Sequence, residues 1–496
     1  SHYLGQVSDA ADAFNAAFRI PNILQNLFGE GALSASFIPV YARLTAQGDE
    51  REAGRVAGAV FGLLALAMAL LAAAGVALTP FLIDLITPGF EGAKRELAIR
   101  LVRVLFPGAG LFVMSAWCLG ILNSHGRFFL SYAAPVVWNL AMIATLAGLG
   151  GRLDPERLVV ALAWGSVAGA LLMVVAQLPN VLRLVTGLRL SLDTHSAHVR
   201  SVIRNFLPVL FSRGVVQVSS YVDAMIASLL PTGAVTGVTN AQLLYILPVS
   251  LFGMSVSAAE LPTMSRVTGD DVAAKAELAR RVNDGLRRIA FFVVPSAVAF
   301  MALGDVVAGV VLETGRFTRA DSLYVWAILA GASIGLLAST MARLYSSAYY
   351  SMGDTRTPFR YALLRVSLAA AAGYLAAVHL PPLAGVDARW GAAELTAASG
   401  LAGWVEFALL RGTLNQRIGR TGLPLGPALK LWLAALAAAG TAWLVKIEIG
   451  VGHPLLAGPL VLGAYGVAYF AAALTLGLMP DAVLRRLRRG RASGGA

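Results

Sequence analysis

Long apolar runs recur along the whole sequence, and they restrict the chain to few folds. Examples are the stretches 56–78, 106–122, 158–176 and 455–478. Each is close to or above the about 20 residues that cross a bilayer as an α-helix. Only 13% of the residues are charged and the mean hydropathy is +0.72, whereas a soluble domain has about 25% charged residues. The sequence therefore predicts an all-α polytopic membrane protein.

Apolar windows of this length predict about 13 membrane spans. Their approximate limits are 9–43, 54–88, 97–123, 128–150, 156–180, 200–230, 236–264, 286–312, 320–348, 358–380, 390–412, 426–446 and 454–480. Lys and Arg are concentrated in the connections on one side, together with the arginine-rich C-terminal tail. Positive connections face the cytoplasm in membrane proteins. The tail is therefore predicted to be cytoplasmic.

An internal repeat relates two parts of the chain. Its first copy contains Ile20-Pro21, Gly29, Pro39, Arg43 and Gly126, and these recur as Leu247-Pro248, Gly253, Pro262, Arg266 and Gly353. The offset stays at about 223–227 residues. The matching spans lie six apart, an even number, so the two copies have the same orientation in the membrane, as in parallel transporter repeats.

The repeat predicts the domain organisation: two parallel six-helix lobes plus an extra C-terminal helix pair. We assign the first lobe to 1–185, the second lobe to 186–420, the additional pair to 421–480 and a basic tail to 481–496. The first copy has no counterpart of span 200–230 ahead of Asp12. We therefore expect that one N-terminal helix is missing here, and that the parent protein has about 14 spans.

Charged residues inside the first span are the first functional candidates. Asp12, Arg19 and Glu30 share one broad helical face. A charge at membrane depth costs at least about 2.5 kcal/mol, so such residues usually line a pathway or pair with each other. Two interpretations stay open: one wall of a central cavity, or an ion-pair network that stabilises the bundle. Pro21 removes a backbone donor and predicts a break in this helix.

A second polar stripe lies on the apolar span 200–230, where Arg213, Gln217, Ser220 and Asp223 follow one another at spacings of four, three and three residues. An Arg there could hold a phosphate through its planar donors, and Asp223 could bind a coupling cation or a proton. The alternative is a buried Arg–Asp network.

Two further positions suggest either gating or a structural role. They are Glu260, near the end of its span, and the tight turn at Gly126 and Arg127. Charged residues near span ends are expected to snorkel to the interface; they are Arg343, Arg365 and Lys430.

Other function classes find little support in the residue pattern. The six histidines are scattered without metal-ligand spacing, and no nucleotide loop or nucleophile–base set is present. We therefore expect no enzyme, no metal and no cofactor. The net charge of +12 arises mainly in topology-setting connections, so it does not indicate nucleic acid.

Several motifs make the chain similar to a known family. They are Asp12-Ala13-Phe14, Ala17 to Asn22, Glu30 to Ser34, Ile121 to Asn123, Gly126 to Phe128 and, in the second copy, Pro248, Gly253 and Pro262. With these residues the chain resembles the MurJ/MviN family of lipid II flippases, in the MOP exporter superfamily. The resemblance covers nearly the whole chain. It implies two rocking lobes, a cationic central cavity and a groove for the polyprenyl tail near 426–480.

The resemblance also implies a site, a substrate and a location. Polar family positions match Asp12, Arg19, Asn22 and Glu30, and Gln25 stands where many members have a basic residue. Because Gln25, Asn26 and Gln242 replace charged residues of relatives, we hypothesise that Arg213 compensates for lost cavity charge.

Lipid II is the implied substrate, in the bacterial inner membrane. Membrane lipids and cell-wall synthesis proteins are the other expected partners of a monomer. The alternatives are an exporter of another polyprenyl-linked oligosaccharide or amphiphile, and a transport-inactive scaffold in cell-wall assembly.

Overall fold

The computed structural model describes residues 2–29, 32–33, 36–267, 271–450 and 454–479, without the side chains of 208–209, 211–220 and 384. Within these ranges the regular elements are helices and no β-strand occurs, which confirms the predicted all-α class.

The first α-helices in chain order are α1 Asp9–Phe28, α2 Ile38–Ala46, α3 Glu50–Ala77, α4 Thr79–Ile86, α5 Gly92–Ser124, α6 Phe128–Leu149, α7 Pro155–Leu184, α8 Ala197–Ser228 and α9 Ala234–Pro248. The remaining ones are α10 Ser255–Ser265, α11 Val272–Leu312, α12 Arg319–Ser333, α13 Leu336–Ser351, α14 Arg356–Tyr374, α15 Leu380–Ala384, α16 Gly391–Ile418, α17 Leu425–Ile449 and α18 Pro454–Thr475. Two π-helical segments, Val249–Met254 and Leu375–His379, and a 3-10 turn, Ala388–Trp390, complete the set.

Nine helices or joined helices in the described ranges are long and apolar enough to cross a membrane. The number is up to ten if α12 and α13, which are bent by 43°, form one span. Each predicted range falls on a helix or on a group of consecutive helices. The count of about 13 spans stays a prediction.

Short polar side chains mark where many helices begin. Ser8, Asp49, Asp154 and Asp271 each accept a hydrogen bond from the backbone N–H three residues later. Such N-caps satisfy donors that have no partner in the first helical turn. The apolar segments therefore begin at defined residues.

Helix α1 runs without a break from Asp9 to Phe28, although Pro21 lies within it. The predicted interruption at Pro21 is therefore wrong. Proline removes only one N–H, and tertiary packing of a buried helix can outweigh that loss. The helix ends instead at Gly29, whose N–H donates to the carbonyl of Gln25 at 2.8 Å. In the second copy, Pro248 directly precedes a π-helical segment.

By packing, the chain divides into two compact units, residues 7–235 and residues 1–6 with 236–496. The boundaries predicted from the repeat, 1–185, 186–420 and 421–480, concern sequence similarity and stay predictions. The tail 481–496 lies outside the described residues.

Helix α5 lies at the centre of unit 7–235 and packs against α1, α3 and α7. Its Trp117 is fully buried, and the indole Nε1 donates to the carbonyl of Ala57 at 3.2 Å. Three glycines of α3, at 54, 58 and 62, let the segment 186–191 pass directly over the helix. A Cβ at these glycines would lie only 2.0–2.3 Å from backbone oxygens of that segment.

Helix α11 occupies the corresponding position in unit 236–496, packed against α12, α17 and α18. Pro295 has no N–H, so the carbonyl of Phe291 lacks its usual partner in the helix. The hydroxyl of Tyr469, on α18, donates to that carbonyl. At a second irregularity, where Leu303 has φ −129°, the indoles of Trp326 and Trp443 donate to the two preceding carbonyls. Side chains of three neighbouring helices thus hold α11 in its bent form.

Candidate functional site

Asp12 lies in the first turn of α1 and its side chain is buried, with 1% exposed. One carboxylate oxygen accepts from Lys94 Nζ at 2.8 Å and from the backbone N–H of Gly233 at 2.8 Å. Lys94 also lies 3.3 Å from a carboxylate oxygen of Asp9. The contacts link the starts of α1 and α5 to residue 233. For Asp12 they agree with the ion-pair interpretation, and a role in a cavity wall stays a prediction.

Arg19 is partly buried on α1, and Tyr221 and Asp223 of α8 are the electrostatic neighbours of its guanidinium. The Tyr221 hydroxyl also donates to the backbone carbonyl of Arg19 at 2.8 Å. The structure therefore brings together two predicted site residues, Arg19 and Asp223. The carboxylate of Asp223 partly compensates the charge of Arg19, and a role of this pair in binding a ligand stays a prediction.

For the other predicted cavity residues the structure shows fewer contacts or does not describe the side chain. Asn22 and Gln25 follow Arg19 on α1, and both are partly exposed. Glu30 lies outside the described residues. Arg213 and Gln217 belong to the helical backbone of α8, but their side chains lie outside the described part of the chain.

The predicted gating turn at Gly126 and Arg127 is a tight, exposed turn between α5 and α6. Gly126 has φ +70°, a left-handed conformation that glycine adopts without strain. The N–H of Arg127 donates to the carbonyl of Leu122 at 2.8 Å, and the hydroxyl of Tyr41 lies 2.9 Å from His125 Nε2. These contacts define the turn, and gating by it stays a prediction.

The second copy of the repeat has the same turn. Gly353 has φ +75°, and the N–H of Asp354 donates to the carbonyl of Tyr349 at 2.9 Å. Hydrogen bonds from the Thr357 hydroxyl and N–H, followed by the ion pair with Arg417 at 2.8 Å, hold the pKa of Asp354 well below its usual value. The matching turns support the internal repeat that the sequence predicts.

Glu260 is 8% exposed, and its carboxylate lies 3.0 Å from Nη1 of Arg288 on α11. The hydroxyl of Thr263 donates to the same carboxylate. This arrangement agrees with structural pairing, one of the two roles that the sequence left open. Gating by Glu260 stays a prediction.

Sequence reasoning missed the partners of several charges in unit 236–496. Arg365 pairs with the largely buried Glu406 at 2.9 Å, and snorkelling of Arg365 to the interface stays a prediction. Asp305, 2% exposed, pairs with both Arg319 and Lys446. The partners lie in different helices, 14 to 141 residues apart along the chain, so the pattern within one helix could not have identified them.

No group of three or more His, Cys, Asp or Glu in the described residues could hold a metal ion. The lone Cys118 is buried.

Long apolar helices and charges paired between them define a polytopic α-helical membrane protein. The family model described as "Lipid II flippase MurJ" matches residues 1–476. The chain belongs to this family.

Relatives and solved structures agree with this assignment. A probable lipid II flippase MurJ of Bdellovibrio bacteriovorus is 31% identical over 498 residues, covering 97% of this chain and 92% of the relative. The corresponding protein of Rhizobium meliloti is 30% identical, covering 97% and 90%.

Among solved structures, a lipid II flippase MurJ in an inward closed conformation matches with TM-score 0.74 and 20% identity, covering 96% of this chain and 94% of that one. An inward-facing multidrug resistance MATE transporter of the MOP superfamily matches with TM-score 0.62 and 17% identity, covering 82% and 94%. At these identities the structures support the shared fold.

Proposed function

We propose that this protein is a flippase that moves lipid II, the lipid-linked peptidoglycan precursor, from the inner to the outer leaflet of the bacterial inner membrane. The observation that carries the proposal is the family match over residues 1–476, together with relatives of that name over 97% of the chain. The protein catalyses no covalent step in this proposal. Its work is to provide a polar path for a headgroup that the bilayer excludes.

In this proposal the pair of Arg19 and Asp223 is the site on the path that binds the headgroup. A guanidinium is a planar fork of donors that fits phosphate oxygens. While no substrate is bound, Asp223 compensates the charge of Arg19, which limits the cost of a charge with no partner. A pyrophosphate that reaches Arg19 would compete with Asp223 for it. Binding would then release the carboxylate, which could take up a cation or a proton.

Alternating access is the mechanism that we propose for this exchange. Transporters with parallel repeats open a fixed midplane site first to one side and then to the other. The C-terminal tail faces the cytoplasm in the proposed orientation, because Lys and Arg are concentrated on that side. Partners other than lipid II, including cell-wall synthesis proteins, and the monomeric state stay predictions.

The test is rescue of a bacterium depleted of its own lipid II flippase by the full-length protein. Growth is scored together with an assay of lipid II accessible in the outer leaflet. We expect rescue by the wild type and its loss in Arg19→Ala, because the substitution removes the proposed phosphate ligand. Membrane levels of each variant are measured by immunoblot. A membrane-inserted wild type that fails to restore outer-leaflet lipid II would overturn the proposal.

Arg183→Ala is the matched control. Arg183 lies in the last turn of α7 and is exposed. The substitution removes the same charge from the membrane domain, but not from the Arg19–Asp223 pair. We expect Arg183→Ala to rescue like the wild type. Equal loss in both variants would mean that overall charge, rather than this pair, limits transport.

A further inference from the structure

A cavity of about 420 Å³ opens on unit 7–235 between α5 and α7. Its charged lining residues are Glu96, Arg100 and Arg103, and Pro107 and Trp164 form part of its apolar wall. None of these residues belongs to the site described above. Trp164 is 58% exposed.

The charged residues form one stripe. Glu96, Arg100, Arg103 and Pro107 follow one another at spacings of four, three and four residues, which places them on one helical face. All four are exposed. Their neighbours Leu101 and Val102, which point to the core, are completely buried. The stripe therefore forms the outward face of an otherwise buried helix.

The depth of the stripe suits a membrane interface. Helix α5 has 33 residues, so it is about 50 Å long, against a hydrocarbon core of about 30 Å. Arg100 and Arg103 lie about 12 and 16 Å from the start of α5. Side chains on a helix lean towards its N-terminus, so both guanidiniums lean towards the nearer membrane surface.

Trp164 lies at the same level on α7. Helices α5 and α7 run in parallel, because Gly108 lies against Val167 and Gln177 donates to Ser115 at 2.6 Å. Trp164 is about 13 Å from the start of its helix. Indole rings are enriched at this level of the membrane, where one edge is apolar and the other is wet.

Arg100 and Arg103 differ from their neighbours Lys94 and Arg95 in having no ion-pair partner among the described residues. Neither guanidinium has an ion-pair or hydrogen-bond partner within the described ranges of the chain, whereas Lys94 and Arg95, earlier on the same helix, pair with Asp12 and Asp84. Snorkelling alone would explain one arginine reaching water. Two arginines that face the same cavity beside an indole leave several guanidinium N–H donors available to a ligand.

We propose that this cavity binds the headgroup of phosphatidylethanolamine in the leaflet next to the start of α5. Arg100 and Arg103 hold the phosphodiester through charge-assisted hydrogen bonds. Glu96 lies one turn, about 6 Å, nearer the membrane surface, where the ammonium group of this lipid extends. Pro107 and Trp164 contact the glycerol and the first acyl carbons. In the predicted orientation this is the outer leaflet.

Glu96 determines which class of lipid the cavity prefers. Two arginines alone would favour an anionic lipid such as phosphatidylglycerol, whereas a carboxylate on the surface side adds a partner for an ammonium. The inference does not depend on lipid II transport, because it concerns a bound lipid at a separate surface. Loss of this lipid site and loss of flippase activity are therefore measured independently.

The experiment is native mass spectrometry of the full-length protein, titrated in detergent with phosphatidylethanolamine or phosphatidylglycerol. We expect the wild type to prefer phosphatidylethanolamine. The double variant Arg100→Gln with Arg103→Gln should bind it about tenfold more weakly, which corresponds to about 1.4 kcal/mol. Glu96→Gln should retain phosphatidylglycerol binding and lose the preference. The variant Arg100→Lys with Arg103→Lys, which keeps the charge without the fork, should bind with intermediate affinity.

Arg152→Gln with Arg157→Gln is the charge-matched control. Both residues are exposed and precede or begin α7 at the same end of the unit. This control should bind phosphatidylethanolamine like the wild type, and thermal unfolding should be alike for all variants. The proposal is overturned if the Arg100 and Arg103 double variant binds as tightly as the wild type, or if Glu96→Gln leaves the lipid preference unchanged. A third outcome would also overturn the proposal: lipid II displaces the bound lipid from the wild type but not from Glu96→Gln. The cavity would then be a site for lipid II that depends on Glu96.

Discussion

Lys94 and Arg95 are adjacent cations on α5 with very different surroundings. Lys94 pairs with a carboxylate that is 1% exposed, whereas the partner of Arg95, Asp84, is 55% exposed. The cost of removing a partner depends on whether water can replace it. At the residue scale, sequence proximity therefore says little about which charge the fold depends on.

Lys94→Met should destabilise the protein strongly, because the buried Asp12 carboxylate then loses the cation that pairs with it. Removing one partner of a buried pair costs about 3–5 kcal/mol. Thermal unfolding of the purified protein in detergent is the measurement. Arg95→Met is the control, with little change expected because its pair is solvated. Equal unfolding temperatures for the two variants would contradict the buried pair, and Asp12→Leu with Lys94→Met should recover part of the loss.

At the scale of elements, helix α11 shows how side chains of a neighbouring helix stabilise a bend. The carbonyl of Phe291 loses its intrahelical donor at Pro295 and receives the Tyr469 hydroxyl instead. The neighbouring carbonyl of Pro295 accepts from Tyr465 at 2.7 Å, although the helix continues beyond it. Of these two hydrogen bonds from α18, the one from Tyr469 should contribute more to stability, because the carbonyl of Phe291 has lost its donor within the helix.

Tyr469→Phe should lower stability by about 1–2 kcal/mol, since it leaves a buried carbonyl without a donor. Tyr465→Phe is the control and should cost less. In a Pro295→Ala background the new N–H can reach Phe291, so the cost of Tyr469→Phe should shrink. A double-mutant cycle by thermal or denaturant unfolding measures this coupling. Equal costs of Tyr469→Phe in both backgrounds would contradict it.

At the scale of the whole molecule, the proposed transport of an anionic headgroup needs cations along its path. The family resemblance predicts charges at the positions of Gln25, Asn26 and Gln242, and Arg213 is the cation that we expect to compensate for their absence. Its side chain lies outside the described residues, so this expectation depends on the sequence pattern of α8.

Arg213→Ala in the full-length protein should abolish or greatly reduce outer-leaflet lipid II, because the loss of one phosphate ligand costs about 1.5–3 kcal/mol in binding. The rescue strain and accessibility assay described above provide the measurement. Arg204→Ala, an exposed arginine on the same helix, should transport like the wild type. Intact transport by Arg213→Ala at normal membrane levels would refute compensation.

The all-α class, the helix positions and the repeated turn could be read from sequence. Apolar run length reports a span directly, and the turns at Gly126 and Gly353 are local, since glycine at positive φ and its hydrogen bonds involve only neighbouring residues. The continuity of α1 through Pro21 could not be read this way, because buried packing outweighs one missing donor.

The partners of the charges were decided by tertiary structure alone. Asp12 meets Lys94 across 82 positions, and Asp305 meets Lys446 across 141. An apolar helix can present several similar faces, so its sequence indicates that a buried charge needs a partner but not which one. By itself the sequence determined a polytopic helical transporter with polar residues in its first span. Only packing decided that Asp12 belongs to a buried ion pair and that Arg19 lies beside Asp223, because Coulomb interactions depend on distance in space.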